Sequence, residues 1–557
     1  MPEAIAGAAG PWVLGTFALY LVVLIVIGVW SSSLLETVGD FVIGGRRVGP
    51  VVTGFSERAS EMSGWLTLGV PANAFTTGIM AFMNAAVIPF DLGSWAFLAK
   101  RLRKYSEIVK AVTLPTFFET RLQDDSGWVK AVSSLVLIIF EGGYVGAQIV
   151  AAGTLLRVLT GVDMWVGIIA GGIIVVGYTM LGGYFAVAWT DYFQGAIILV
   201  GFIILPIIAF LNFGLPFNDL ATVDGGATMS SITAGMTGWA AVFGIISYVA
   251  IGLGWPGNPH IMVRFMGIDR VKNIRKAAAV AQLFMFAAYA GAVMIGLYAI
   301  TQLGSAVAKP DNAMPMLTLE LLPGALAGII LAAALAAMMS SADSQLLVAT
   351  SAVVEDIYHG FLNKQATNDQ LVRYSRYVTL LLGLASIAFA YFARSTPIYT
   401  LVLDYAWGGL GASLGPMLIA TLWWKRLTAK GAIASMVTGT VTMILWTQWS
   451  TILGQATIDN MGPFLNGLFT VYGLFPAFVI SALVMIVVSY LTEPPDQSDV
   501  DDHFEVMRKP LSAVIDEEGE SGDTPGYIAD GGVPQPKTVT EMDNMRTHVT
   551  DSDYWKR

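Results

Sequence analysis

Cysteine is absent from the 557 residues, which excludes disulfides, thiolate metal sites and thiol chemistry. Histidine is almost absent. The four present (His260, His359, His503, His548) fall in expected loops or the tail, which argues against a histidine metal centre or proton relay in mid-membrane. Charge is also scarce: 13% of residues are Asp, Glu, Lys or Arg, about half the share of a soluble domain. Apolar residues make up 55% of the chain, and runs of roughly 20 of them recur along most of its length, as transmembrane helices require. The chain reads as an all-α polytopic membrane protein.

Thirteen spans are expected, near 11–32, 49–75, 77–99, 131–156, 161–182, 188–211, 236–257, 277–302, 323–353, 373–392, 398–423, 430–452 and 467–491. The first apolar run is too long for a signal-peptide core and has no basic residue before it, so it counts as a span. Lys and Arg mark cytoplasmic loops. The odd-numbered loops hold clusters (Lys100, Arg101, Arg103, Lys104; Arg270, Lys272, Arg275, Lys276), whereas the even ones hold little beyond Arg157, Lys309 and Arg394. This places the N-terminus outside and the C-terminus inside, in agreement with an odd span count.

The net charge of −10 comes from one end. After Leu491 there are sixteen acidic and six basic residues, so the membrane body, 1–491, is neutral. The tail, 492–557, is polar and rich in Gly and Pro, and is expected to be disordered. Its acidity fits either a high-salt cytoplasm or an ordinary solvated tail. It is too short for a kinase or nucleotide-binding domain.

Two spans are interrupted. "SERASEMSGWL" lies in the second and "IGLGWPGNPH" in the seventh. Lipid-exposed backbone cannot be left unpaired, so such segments occur only where protein or water satisfies it. A proline in a helix interior costs roughly 3 kcal/mol. Pro256 and Pro259, with Gly252, Gly254 and Gly257, therefore unwind the seventh span. Interrupted helices at matching places in two halves point to an inverted-repeat transporter. One half would run approximately over 49–257 and the other over 236–452, sharing the seventh span at their boundary; two merely kinked helices are the alternative. "GLGWPG" also fits a dinucleotide fingerprint, but it lacks the strand and βαβ context that motif needs, so a nucleotide site is rejected.

Unwound backbone exposes carbonyl oxygens, which suit hard monovalent cations. In the ninth span, Ala337, Ser340, Ser341 and Ser344 share one helix face. With carbonyls near Ala59 and Met62 they offer about five neutral oxygens, a set suited to Na⁺ rather than a divalent ion. Helix packing by small residues, with serines bonding their own helix, explains the spacing equally well.

The stretches "IGGRRVGP", "ASEMSGWL", "YTMLGGYFAVAWTD", "NPHIMVRFM", "MMSSADSQLLVATSAVVEDIY" and "YAWGGLGASLGP" resemble the sodium/solute symporter family, and within it the bacterial sodium/proline symporters. The resemblance runs collinearly over roughly residues 15–490. It implies a LeuT-type fold of about thirteen helices, a 5+5 inverted repeat with discontinuous helices, and alternating access. It maps a sodium site onto backbone oxygens of Ala59, Met62 and Ala337 and hydroxyls of Ser340 and Ser341. It implies a second sodium at Asp191, with Asp343 and Ser344 beside it; a structural anchor is the other reading of Asp191. The implied substrate pocket comprises Ser60, Glu61, Ser63, Gly64, Trp65, Tyr144, Ile251, Trp255 and Pro259, with backbone N–H groups at the break holding a carboxylate. Trp65, Tyr144 and Trp255 would enclose a small ring or a cationic amine. Arg46 matches a family arginine linked to the inner gate, or is an ordinary positive-inside residue.

Three departures bear on the substrate. Glu61 stands where aspartate is usual, Ile251 and Trp255 replace a tryptophan and a tyrosine, and Glu141 stands where an aromatic is common. Glu141 would meet a substrate ammonium, pair with Arg58, or lie at the interface. Arg58 and Glu61, three residues apart, would pair if the turn between them stays helical.

The expected function is Na⁺-coupled uptake of a small zwitterion across the cell membrane, with L-proline first. Another amino acid, a betaine-type osmolyte, an organic acid or a sugar is the alternative. A channel lacks its repeated filter motif, and an intramembrane hydrolase lacks histidine in the spans, leaving only an Asp191–Asp343 pair for it. The chain is thus read as a transporter, not an enzyme, with sodium, a small solute and the bilayer as partners.

Overall fold

The structure is a computed structural model that describes residues 2–32, 38–454, 457, 458 and 460–508. The described residues are helical throughout, and the one β-bridge joins Val48 to Ile268. Nine helical runs among them are long and apolar enough to cross a membrane. The first helix is α1 (Pro2–Ser32). The first interrupted span is α2 (Pro50–Gly64), a wide turn over Trp65–Gly69, and α3 (Val70–Thr77). Then come α4 (Ala99–Ile108), α5 (Leu114–Leu122), α6 (Trp128–Thr160) and α7 (Met164–Phe213).

The second interrupted span is α8 (Gly238–Ile251), a tight turn Gly252–Gly257, and α9 (Pro259–Gly267). The remaining helices are α10 (Ile274–Gln302), α11 (Gly324–Ser351), α12 (Asn368–Ala393), α13 (Gly408–Trp423), α14 (Ala429–Thr447), α15 (Leu474–Leu491) and α16 (Gln497–Arg508).

Each break has a local cause. Ser63 carries φ 41°, ψ −179° inside the first, a left-handed conformation that costs a non-glycine residue roughly 1–3 kcal/mol. In the second, the residue before a proline is driven out of the helical region, and Asn258 is extended at φ −95°, ψ 104°. Pro259 then opens α9, where its missing N–H is harmless. Gly254 is required for close approach: a Cβ there would lie 2.0 Å from Trp407 Nε1. The 50-residue α7 contains the expected spans 161–182 and 188–211, divided at Gly183, whose φ is 54°.

The apolar stretch of α11 is 83% buried and that of α12 is 22% buried. Hence α11 runs through the centre of the bundle while α12 faces outward, toward lipid. Beneath the bundle α16 folds back, although disorder is expected from residue 492. Val500, Phe504 and Met507 are buried, spaced as on one helix face. Phe504 lies under the Arg121 guanidinium, and Lys425 Nζ meets Asp501 at 2.5 Å. The expectation for 509–557 lies outside the described residues.

Candidate functional site

The break in α2 lies against the serines of α11. Ser340 Oγ donates to the Ala59 carbonyl at 2.7 Å and to the Ala337 carbonyl at 3.1 Å. Ser341 Oγ donates to the Ala337 carbonyl at 3.0 Å. Four of the five expected oxygens are thereby gathered at one place, all buried. Met62 is buried at the break as well, and its carbonyl accepts the Trp65 N–H. No cluster of His, Cys, Asp or Glu suited to a metal occurs among the described residues. The donor set on offer is neutral hydroxyl and carbonyl oxygen, which fits a monovalent hard cation.

One turn away, Asp191 has a partner that sequence reasoning missed. Arg264 Nη2 lies 3.1 Å from Asp191 Oδ2 and donates to Ser60 Oγ at 2.7 Å and Ser344 Oγ at 2.5 Å; its Nε reaches Ser56 Oγ at 3.3 Å. Ser56 and Ser60 donate to the same Asp191 oxygen at 2.7 and 3.0 Å. Ser60, expected beside the substrate, therefore belongs to this polar knot. Asp343 is buried next to it and accepts from Ser344 Oγ at 3.2 Å. "NPHIMVRFM" held the signal: Arg264 is a charge five residues past the helix start at Pro259 in an apolar stretch, and burying it requires a carboxylate partner.

The first break carries a second knot. Arg58 pairs with Glu57, with Asp91 at 3.1 Å and with Glu61 at 3.7 Å, all fully buried or nearly so. The expected Arg58–Glu61 pair thus exists as the longest of three. Tyr289 donates to Glu61 at 3.1 Å, and Gln282 to Asp91. Asp91, 33 residues from Arg58, could not be paired with it from sequence spacing.

The three rings of the expected enclosure, Trp65, Tyr144 and Trp255, each pack on another ring of the protein. Trp65 meets Tyr289 at 5.6 Å and Tyr399 at 6.5 Å. Trp255 packs on Trp407 at 5.1 Å with the Arg58 guanidinium 5.2 Å from its ring. The Ile251 carbonyl accepts Trp407 Nε1–H at 2.7 Å. Trp255 thus shields a buried cation within the protein. Tyr144 lies edge-on to His260 at 5.6 Å. The N–H groups at the break are also partly taken. Ser63 Oγ accepts from Trp65 N at 3.0 Å, and Gln148 Oε1 accepts from Gly64 N at 2.7 Å. Glu141, Tyr144 and Gln148 form one stripe of α6 facing the breaks.

His260 corrects the view that every histidine lies in a loop or the tail. It is fully buried in the first turn of α9, with Nδ1 3.1 Å from Glu141 Oε1. Glu141 therefore pairs with neither Arg58 nor the interface.

The two ends of the site differ. A cavity of about 1630 Å³ reaches Asn73, Thr76, Asp311, Ile398 and Tyr399 beyond the break. On the other side Pro259, Val263, Leu347 and Ser351 line a void of about 20 Å³, little more than one water's room. That face is fastened by Arg46, which donates to the Ser106 carbonyl at 2.8 Å and the Ala111 carbonyl at 2.9 Å. Arg103 donates to the Ile268 carbonyl at 2.7 Å.

A sequence model of the sodium:solute symporter family matches residues 41–439. The osmoregulated proline transporter OpuE of Bacillus subtilis is 34% identical over 504 residues, covering 89% of this chain and 98% of that protein. The high-affinity proline transporter PutP of the same organism is 35% identical, covering 88% and 100%. A Staphylococcus aureus sodium/proline symporter is 35% identical, covering 86% and 92%. Among solved structures, a Na⁺-coupled sialic acid symporter superposes with a TM-score of 0.70 at 19% identity, over 87% of this chain and 99% of that one. Mhp1, a nucleobase-cation-symport-1 transporter, superposes at 0.50 and 13% identity, over 83% and 98%. The fold is the LeuT type with discontinuous helices.

Proposed function

Since the chain belongs to the sodium:solute symporter family, we propose that it couples inward sodium flow to uptake of L-proline by alternating access. It is a transporter, not an enzyme. The observation that carries the reading is the hydrogen bond from Ser340 to the Ala59 carbonyl, which fixes a hydroxyl of α11 on the backbone of α2 next to its break. Sodium bound by Ala59, Met62, Ala337, Ser340 and Ser341 would tie these helices together and give the ion a differential affinity for one state, as coupling requires. The three proline transporters similar to the chain over most of its length support the substrate.

Residues 1–491 form the transporter, with the N-terminus outside and the C-terminus in the cytoplasm. On this orientation the large cavity faces outward and Arg46 fastens the inner gate. Solute enters past Tyr399 toward Ser63, Gly64, Trp65 and Tyr144, and leaves along Pro259. A second sodium at Asp191, Asp343 and Ser344 competes with the guanidinium of Arg264 for the same oxygens. We therefore assign coupling to the first site.

The test is uptake of labelled proline into proteoliposomes under an inward Na⁺ gradient, with K⁺ as control. Unlabelled amino acids, betaine, ectoine and sugars serve as competitors. Sodium-dependent accumulation blocked best by proline is the expected result. No sodium-dependent proline uptake would overturn the substrate.

A further inference from the structure

Glu141 and His260 form a buried pair that the sodium chemistry leaves unused. With the proton on His260 Nδ1, a tautomer assigned from the 3.1 Å approach to Glu141 Oε1, the ring's Nε2 is left as an acceptor. Both side chains are completely buried. Glu141 Oε2 and His260 Nε2 have no hydrogen-bond partner among the described residues. The pair thus presents two buried acceptor atoms, Oε2 and Nε2, an arrangement that is costly unless an N–H donor completes it.

No such donor comes from the described residues. Arg264, on the same helix, is committed to Asp191, Ser56, Ser60, Ser344 and the carbonyl of His260. Arg58 is committed to Glu57, Asp91 and Glu61. Tyr144, one turn along α6, sets its ring edge-on to the imidazole as an apolar wall.

We propose that Glu141 and His260 receive the protonated nitrogen of the transported solute and select amines that carry N–H bonds. This rests on the reading of the chain as a transporter of small zwitterions. A secondary ammonium has two N–H bonds, one for Oε2 and one for Nε2. A quaternary ammonium has the charge and no hydrogen to donate. The pair therefore discriminates proline-like solutes from betaine-like ones of equal charge.

The test uses the full-length protein in proteoliposomes, with L-proline and N,N-dimethylproline competing against labelled proline. Wild type should prefer proline. Glu141→Gln should raise the half-saturating proline concentration roughly tenfold to a hundredfold, as loss of a charged hydrogen bond does. The maximal rate should stay within about twofold, and inhibition by N,N-dimethylproline should change far less. His260→Asn keeps a donor toward Glu141 and removes the Nε2 acceptor. It should shift proline in the same direction by less, and it decides the matter if Glu141→Gln does not fold.

Unchanged proline affinity in both variants, or equal loss of the two ligands, overturns the proposal. If wild type takes up no proline, the proline reading falls on its own. Sodium-dependent thermal stabilisation by other primary and secondary amino acids is then compared with that by their N-permethylated forms. Absence of preference in every pair overturns the selection proposed here.

Discussion

Ser340 and Ser341 have different worth to the protein and to the ion. Each hydroxyl bonds a carbonyl already within the fold, so removing one costs only about 1 kcal/mol of stability. In the proposed sodium site they are two of five ligands. Replacing both with alanine should therefore raise the half-maximal sodium concentration by at least roughly tenfold while the protein still folds; an unchanged sodium curve in uptake assays would falsify the site. Arg58 is the converse. Removing it leaves Glu57, Glu61 and Asp91 buried without their cation, and breaking a buried pair costs about 3–5 kcal/mol. Arg58→Met should lower the melting temperature in detergent sharply. Arg58→Met combined with Glu57→Gln and Asp91→Asn should recover much of that loss. Such partners lie beyond sequence reasoning, because Asp91, Gln148 and Arg264 meet their partners across 33, 84 and 73 residues.

At the scale of elements, the two breaks were legible because proline and glycine act locally: Pro259 sets the conformation of Asn258 without reference to the rest of the fold. His260 was misplaced for a related reason. The seventh span was ended at residue 257, but the chain re-enters a buried helix immediately after Pro259. The tail helix α16 was hidden by composition, since its acidic setting masks the apolar spacing of Val500, Phe504 and Met507. That helix makes a prediction of its own. Burial, helped by Arg121, pushes the His503 pKa down to about 3 from its ordinary 6.5. A base with a lowered pKa in the docked state stabilises docking fully above pH 6.5. That contribution fades as pH falls from 6.5 toward 3, because the undocked imidazole takes up the proton first. At pH 5 the loss is about 2 kcal/mol. Hydrogen-exchange protection of residues 497–508, taken relative to the intrinsic exchange rate at each pH, should fall between pH 7.5 and 5 in the wild type, and much less in His503→Phe. Equal loss of protection in both would remove His503 as the cause.

At the scale of the whole molecule, a cavity of about 1630 Å³ lined by Asn73, Thr76, Asp311 and Tyr399 lies at one end, and a void of about 20 Å³ lined by Pro259, Val263 and Ser351 at the other, the asymmetry expected of one access state. Sequence could supply the two broken helices but not the state, because opening and closing change contacts without changing the pattern that makes helices. The bonds on the closed side include those from Arg46 to the carbonyls of Ser106 and Ala111, from Arg103 to that of Ile268, from Thr113 to Asp356, and the Val48–Ile268 bridge. A hydrogen bond to a charged group is worth about 1.5–3 kcal/mol, so loss of both Arg46 bonds is enough to move a two-state equilibrium by tenfold or more. The absence of cysteine makes this measurable without background. Ser351 lines the small void, so Ser351→Cys should react slowly with a maleimide added from the face bearing the C-terminus. Adding Arg46→Ala should speed that reaction by about tenfold or more, and it should slow labelling of Thr76→Cys from the opposite face, since one closed gate exchanges for the other. Faster labelling at both positions would indicate loosening of the bundle in place of a shift between two states, and Arg46 would then be a structural tie with no part in gating.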